Sequence, residues 1–132
     1  MTSHDPRYGS EVRRRMAALR GAGTLPEGID VCTGLAGDRE QGAEVRLQFR
    51  VAAGRVVDAR FLAFGCPHFL ATASWLTDRL RDQGPAELEA WDWREAASAL
   101  EVPAAKYGRL LTLQDAVRSA ARNWPGATRS TV

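Results

Sequence analysis

The sequence predicts an α+β fold, in which a three-stranded, mostly antiparallel sheet carries helices on one face. Two neighbouring segments alternate apolar and polar residues with the period of a β-strand, and a glycine turn separates them. A helical pattern precedes these strands, and most of the remaining chain repeats its apolar residues with helical spacing. A small antiparallel sheet with helices before and after it is an α+β layout.

Length and composition predict an ordinary globular protein. The chain has 132 residues with 45% hydrophobic and 26% charged residues, so we expect one domain over 1–132, with flexible tails at 1–7 and 125–132. The net charge of +2 is too small to indicate nucleic-acid binding. No apolar run approaches the ~18 residues of a membrane-spanning helix. The polar first residues lack the apolar core of a signal peptide, so we expect a cytoplasmic protein.

The first elements are a helix and a short edge strand. The segment YGSEVRRRMAAL has helical spacing, and the glycines and proline of RGAGTLPEG end it. The segment IDVCTGLAG is short, partly apolar and interrupted by glycine, so we expect an edge strand or extended loop near residues 30–36.

The hairpin that follows is the clearest pattern in the sequence. In residues 43–52 one face is apolar, formed by Ala43, Val45, Leu47, Phe49 and Val51. A turn centred on Gly54 leads to a second strand at residues 55–63. We expect its core face to consist of Val57, Ala59, Phe61 and Ala63.

Helices account for the remainder. Pro67 suits the first position of a helix because its missing N–H needs no partner there. Two short helices are predicted between Gly84 and residue 100, and a long helix follows. The predicted core comprises Val45, Leu47, Phe49, Phe61, Leu76, Leu113 and Val117.

Cys66 lies where the second hairpin strand gives way to the helix at Pro67. The unpaired N–H groups and positive dipole end of a helix favour an anion, and the thiolate is the reactive and metal-binding form of cysteine. Local sequence also fits a small buried residue filling space at a tight turn. Both interpretations stay open on local sequence alone.

Partners for a reactive Cys66 are few. His68 is two residues away, a spacing that does not place it squarely opposite Cys66 on a helix. Cys32, Cys66 and His68 are three candidate metal ligands, but no C-x-x-C pair is present. A thiol enzyme that uses Cys66 with His68 is therefore the weakest of the functional hypotheses, and we expect no enzymatic activity.

At this point the chain resembles a known family, the iron–sulfur cluster assembly scaffolds of the IscU type and the N-terminal domain of NifU. The resemblance extends from about Tyr8 to Trp124. Its early motifs appear as YGSEV, LRGAG and the T-G-x-x-G segment at residues 33–37, followed by RLQFRV. Its later motifs appear as VPAAK and DAV. The strand-to-helix junction is nearly intact in Asp58, Ala59, Arg60, Phe61, Gly65 and Cys66.

The resemblance implies a site built from three cysteines and an aspartate, of which this chain keeps only Cys66. Gln41 occupies the place of the first cysteine, and Ala43 that of the aspartate. Gly108 and Arg109 occupy the places of a His-Cys pair. The predicted site therefore consists of Gln41, Ala43, Cys66, Gly108 and Arg109, with Cys66 as metal ligand and Cys32 or His68 as possible assisting ligands.

The resemblance also implies a cofactor and partners. An iron–sulfur cluster, or iron or zinc, is implied, but a cluster takes four ligands, so one thiolate per chain is insufficient. Cys66 is then expected to accept sulfur or to share a cluster between two chains of a homo-oligomer. A cysteine desulfurase is the implied partner, with a chaperone binding Val102, Pro103, Ala104, Ala105 and Lys106. No membrane or nucleic-acid partner is expected.

A second hypothesis gives the chain a different role on the same fold. With most ligands missing, it would be a binding or regulatory module that has lost cluster assembly. Reconstitution with iron and sulfide separates the two hypotheses, because only a working site yields a chromophore that disappears in Cys66→Ser.

Overall fold

The computed structural model describes residues 8–126. The predicted tails at 1–7 and 125–132 lie outside the described residues, except for residues 125–126. Within residues 8–126, three strands and five α-helices follow one another, with 3-10 turns at Arg39–Gln41 and Ala104–Lys106. The elements are α1 (Ser10–Ala17), β1 (Val31–Asp38), β2 (Ala43–Ala52), β3 (Arg55–Phe64), α2 (Pro67–Arg79), α3 (Pro85–Ala90), α4 (Trp93–Ala99) and α5 (Tyr107–Arg122).

The strands form one antiparallel sheet in the order β1-β2-β3. This confirms the predicted α+β class and the hairpin, whose turn has positive φ angles at Ala53 and Gly54. The edge strand β1 is two residues longer at its end than the sequence predicts, because Gly37 and Asp38 pair with Glu44 and Ala43. Within the described part of the chain no helix is both long and apolar enough to cross a bilayer.

The predicted alternation in β3 is wrong at Val57. Arg50 pairs with Asp58 while the next residue, Val51, pairs with Val56, so Val57 is an extra residue on its strand. Such a bulge shifts the side chains before it by one position relative to the partner strand. Val56 is consequently buried, and Val57 faces outward with 47% of its surface exposed.

The core lies between one face of the sheet and the helices α2 and α5. All seven residues predicted to form it are 3% exposed or less, which confirms that the helices cover one face. The first helix, α1, packs on α2 rather than on the sheet.

Helix α5 lies unusually close to β1 because Gly34 has no side chain. A Cβ on Gly34 would be 2.0 Å from the Ala116 carbonyl oxygen and 2.7 Å from the Ala120 nitrogen. The same helix also caps the free edge of β1. The Leu35 N–H donates to Ser119 Oγ at 3.3 Å, and Asn123 Nδ2 donates to the Thr33 carbonyl at 2.9 Å.

The segment after α1 covers part of the other face of the sheet. It first pairs with the free edge of β3, where Phe61 bonds to Gly21 and Gly23 at 2.8 and 2.9 Å. Leu25 then lies over Gln48, and the Gln48 amide exchanges two hydrogen bonds with the Leu25 backbone, at 2.8 and 3.2 Å. This reciprocal pair satisfies a side chain that is 1% exposed.

The contact of α5 with β1 predicts opposite effects for two glycine-to-alanine substitutions. Gly34→Ala forces the helix off the strand and should lower the free energy of unfolding by about 1–3 kcal/mol, the usual cost of overpacking. Gly108→Ala is the matched control, because its Cβ would meet nothing within 4 Å. In a helix it should raise stability by up to about 1 kcal/mol. Urea unfolding followed by circular dichroism measures both, and equal stabilities would contradict this account of the packing.

Candidate functional site

Strand register brings two predicted site segments to the same end of the sheet. Phe64, the last residue of β3, pairs with Glu44 near the start of β2. Cys66 follows Phe64 by two residues, while Gln41 and Ala43 precede Glu44. The junction before α2 and the turn before β2 therefore lie next to each other.

Helix α5 brings Arg109 to this end of the sheet. Arg109 Nη1 donates to the Gln41 carbonyl at 3.2 Å, and a Cβ on Gly42 would lie 3.1 Å from the guanidinium. The buried Nε of Arg109 has no hydrogen-bond partner among the described residues. A fixed cation is thus held against the turn at residues 39–42.

Cys66 is the N-cap residue of α2, with Pro67 at the first helical position as the sequence predicts. The residue is partly exposed, and it makes no side-chain capping hydrogen bond. The preceding Gly65 is required by packing, since a Cβ there would lie 2.6 Å from the Phe69 ring. The ring of Phe69 and the turn at Gly65 together fix the position of Cys66 at the helix start.

His68, the second residue of α2, is 3% exposed and packs against the ring of Tyr8 at a centroid distance of 4.9 Å. Neither of its ring nitrogens has a hydrogen-bond partner within residues 8–126. Burial lowers the pKa of His68 below its ordinary value, and the positive charge of Lys106 lowers it further. The imidazole is therefore neutral near pH 7, and Lys106 lies close enough for its charge to act on this ring.

The segment predicted to bind a partner directly precedes this site. Val102 is buried and anchors the segment through a 3.0 Å hydrogen bond to Ala97. Pro103, Ala104 and Ala105 are exposed, and the 3-10 turn at Ala104–Lys106 leads into α5. Three consecutive small or apolar residues are thus accessible from solvent beside the site.

The other predicted positions differ in exposure. Ala43 is 3% exposed and belongs to the core, whereas Gly108 is exposed on the first turn of α5. Gln41 is exposed, and its backbone N–H donates to Asp38 Oδ1 at 2.9 Å. None of the three side chains is a soft metal ligand.

Cys32 lies at the other end of the sheet. It pairs with Phe49, six residues along β1 from Asp38, a separation of about 20 Å at the rise of a strand. It is 2% exposed, and burial raises the pKa of the Cys32 thiol to about 11. The structure does not bring Cys32 to Cys66. Cys32 is the second residue of β1, and this strand begins at the end of the sheet far from Cys66.

The described residues contain no group of three or more histidine, cysteine, aspartate or glutamate side chains that could hold a metal ion. Cys66 and His68 are the only candidate ligands from the sequence that the structure places near each other. From the sequence, Lys106 was predicted only to belong to a partner-binding segment. The effect of Lys106 on the pKa of His68 could not be predicted from sequence spacing. The one available signal was that Lys106 is the only lysine in the sequence.

Comparison with known proteins agrees with this architecture. The family model described as the NifU-like N terminal domain matches residues 7–131. The mitochondrial iron sulfur cluster assembly protein 1 of Eremothecium gossypii is 30% identical over 115 residues, covering 85% of this chain and 75% of that protein. The nitrogen fixation protein NifU of Cereibacter sphaeroides is 52% identical over 58 residues, covering 44% of this chain and 23% of that protein.

A solved structure shows the same fold. The N-terminal part of a nitrogen-fixing NifU-like protein from Brucella abortus superposes with a TM-score of 0.68 at 19% identity, covering 87% of this chain and 92% of that one. The family model spans nearly the whole sequence, and the Eremothecium protein is matched over three quarters of its length. The chain therefore belongs to the family of the NifU-like N-terminal domain.

Proposed function

We propose that this protein is a scaffold-like component of iron–sulfur cluster assembly and that Cys66 is its working thiol. The observation that carries the proposal is the family match over residues 7–131, with a cysteine retained at the N-cap of α2. Cys66 accepts sulfur from a donor enzyme or provides one ligand to a cluster that two chains share. The alternative, a regulatory module without a part in assembly, is less favoured because the relatives described above carry assembly or nitrogen-fixation names.

The contrast between the two cysteines supports Cys66 as the working thiol. Cys66 is partly exposed at the start of α2. Cys32 is buried in the core, and its raised pKa leaves it protonated near neutral pH. Sulfur transfer needs a thiol that a partner can reach, and of the two cysteines only Cys66 is a partly exposed residue.

A cluster held by one chain alone is disfavoured by the donor set. Iron–sulfur clusters take four ligands, mostly thiolates. Gln41, Ala43 and Arg109 occupy positions where the family resemblance places ligands, and Arg109 adds a positive charge that opposes cationic metal. A shared cluster would therefore draw a second Cys66 from another copy of the chain.

The expected partners follow from the same proposal. A cysteine desulfurase would deliver sulfur to Cys66, and a chaperone would bind the exposed segment at residues 102–106. We infer that the chain is not itself an enzyme, because burial and the charge of Lys106 lower the pKa of His68, which makes its imidazole a weak base towards a thiol. A cytoplasmic location stays a prediction from the sequence.

Incubation with a cysteine desulfurase and free cysteine should add one sulfur atom to the wild-type protein, at Cys66. Cys66→Ser should lose the addition, while Cys32→Ser should retain it, because only Cys66 is accessible. Intact-protein and peptide mass spectrometry without reductant measures both. Addition at Cys32, or none in the presence of an active desulfurase, would contradict sulfur acceptance.

Alkylation rates should separate the two cysteines strongly. A thiol of pKa about 11 is ionised in about one molecule in a thousand near pH 8, and Cys32 is also buried. We expect iodoacetamide to label Cys66 at least about 100-fold faster than Cys32. Labelling at Cys32 should accelerate as the pH rises towards 11, since its thiolate fraction then grows. Faster labelling at Cys32 at any pH below 9 would refute this order.

Metal binding by the isolated wild type should be weak, and restored thiolates should strengthen it. Gln41→Cys combined with Arg109→Cys supplies two ligands near Cys66, so zinc should bind at least about tenfold more tightly. Arg109→Gln removes the positive charge without adding a thiolate, so it separates the effect of the lost charge on zinc affinity from that of the added ligands. Zinc titration under reducing conditions measures all three proteins, and tight binding by the wild-type monomer would disprove this description of the site.

A further inference from the structure

We propose that part of the sheet face opposite the core is an interface between two copies of this chain, which pack face to face with their strands antiparallel. The inference goes beyond the proposed function, because this pairing requires neither sulfur nor a cluster. The outer patch, as we call this surface, consists of two adjacent rows across the sheet at the end nearer Cys66: Leu35, Arg46 and Leu62, then Gly37, Glu44 and Phe64.

The outer patch is the part of this sheet face that the segment after α1 leaves uncovered. That segment covers Gln48 in the neighbouring row through Leu25. In the outer patch Leu35, Leu62 and Phe64 are 64%, 46% and 45% exposed, and they line a cavity of about 550 Å³. Three of the seven large apolar side chains exposed in residues 8–126 therefore lie together. Clustered apolar side chains of this kind mark an interaction surface.

The charges on the central strand select the orientation of the second copy. Glu44 and Arg46 are two residues apart on β2, so both side chains point to the outer face. If the two β2 strands ran parallel, Arg46 would face Arg46 and Glu44 would face Glu44, and like charges repel. In an antiparallel pair, a two-fold axis crosses the strands above Val45. Each Arg46 then faces the partner's Glu44, so the same patch is complementary to itself.

The apolar side chains match under the same two-fold axis. Leu35 comes to lie opposite the partner's Gly37, where the missing side chain leaves room for the leucine. At the other side of the patch, Leu62 comes to lie opposite the partner's Phe64. Two sheets that stack face to face about 10 Å apart interdigitate their side chains in this way. The pair is closed, because each patch is fully used by one partner.

The ion pairs already present around the outer patch do not oppose the pairing. Glu44 pairs with Arg39 at 3.0 Å, and the Arg39 side chain is 70% exposed. Arg46 pairs with Glu27 at 3.4 Å, and the Glu27 side chain is 84% exposed. Exposed pairs contribute little to stability, so exchanging or sharing them costs little. The four charges also sum to zero, so two patches meet without net repulsion.

The pairing keeps the two Cys66 thiols apart. Ala63 pairs with Val45 and so lies in the row beneath the two-fold axis, and Cys66 follows Ala63 by three residues. The antiparallel strands carry the two cysteines in opposite directions from the axis, on the order of 20 Å apart at the rise of a strand. Each Cys66 therefore stays available to its own partner in the dimer.

Sedimentation equilibrium between about 1 µM and about 1 mM protein tests the pairing. We expect a reversible monomer–dimer equilibrium with a dissociation constant on the order of 100 µM, because the patch is smaller than the roughly 800 Å² per partner of a standard interface. Leu62→Lys should weaken dimerisation at least about tenfold, since it buries a charge against the partner's ring. Val57→Lys is the matched control and should leave dimerisation unchanged, because Val57 is 47% exposed on the same strand but lies outside the patch.

Charge reversal tests the antiparallel orientation. Glu44→Arg and Arg46→Glu should each weaken self-association at least about tenfold, because each variant places like charges opposite one another. The double variant Glu44→Arg with Arg46→Glu restores opposite charges and should dimerise like the wild type. An equimolar mixture of the two single variants should associate more tightly than either variant alone.

Three outcomes would overturn the proposal. A protein that stays monomeric up to about 1 mM would leave the outer patch to a different protein chain. Equal weakening by Leu62→Lys and Val57→Lys would place the interface elsewhere, and a double variant that fails to regain dimerisation would exclude the antiparallel pairing. Cys66→Ser should dimerise like the wild type while it accepts no sulfur from a desulfurase, so this test and that of the proposed function fail separately. Circular dichroism of each variant verifies that it is folded.

Discussion

The position of the site depends on the close contact between α5 and the edge strand β1 at Gly34. Because no side chain intervenes, the backbone of α5 lies directly on the strand. Its alignment along β1 is fixed by Ser119, which accepts from the Leu35 N–H, and by Asn123, which donates to the Thr33 carbonyl. This alignment determines where the other end of the helix lies. It places Arg109 against the turn at residues 39–42, where its guanidinium donates to the Gln41 carbonyl. The chemical groups of the site are thus positioned by a packing contact that is remote from them along the helix.

The sequence predicts the sheet and its core well because both depend on local periodicity. Alternation identified β2, a glycine turn identified the hairpin, and Pro67 identified the start of α2. The bulge at Val57 was not predicted. Val56 and Val57 are both apolar, so the sequence does not indicate which of them faces the core. The contact at Gly34 was not predicted either. A glycine in a strand indicates that another part of the backbone lies close, but it does not indicate which element that is.

The candidate site was less predictable because its members come from four separate segments. Spacing to known motifs indicated which residues occupy the family's ligand positions, and the strand register places the segments of Gln41, Ala43 and Cys66 at one end of the sheet. The burial of His68 and the influence of Lys106 on it required the packed structure. A single thiol combined with added positive charge distinguishes this chain from a site composed of several thiolates, and the difference affects which ligands it can stabilise.

Each free edge of the sheet is capped over part of its length, and this restricts how copies of the chain can associate. Ser119 and Asn123 occupy backbone groups of β1 at Leu35 and Thr33, while Gly21 and Gly23 pair with β3 at Phe61. Exposed strand edges are templates for adding further strands, which leads to fibrils or to dimers with continuous sheets. Capping at these positions disfavours that route, so an association that brings two Cys66 thiols together is expected to run end to end, across the start of α2, rather than side by side.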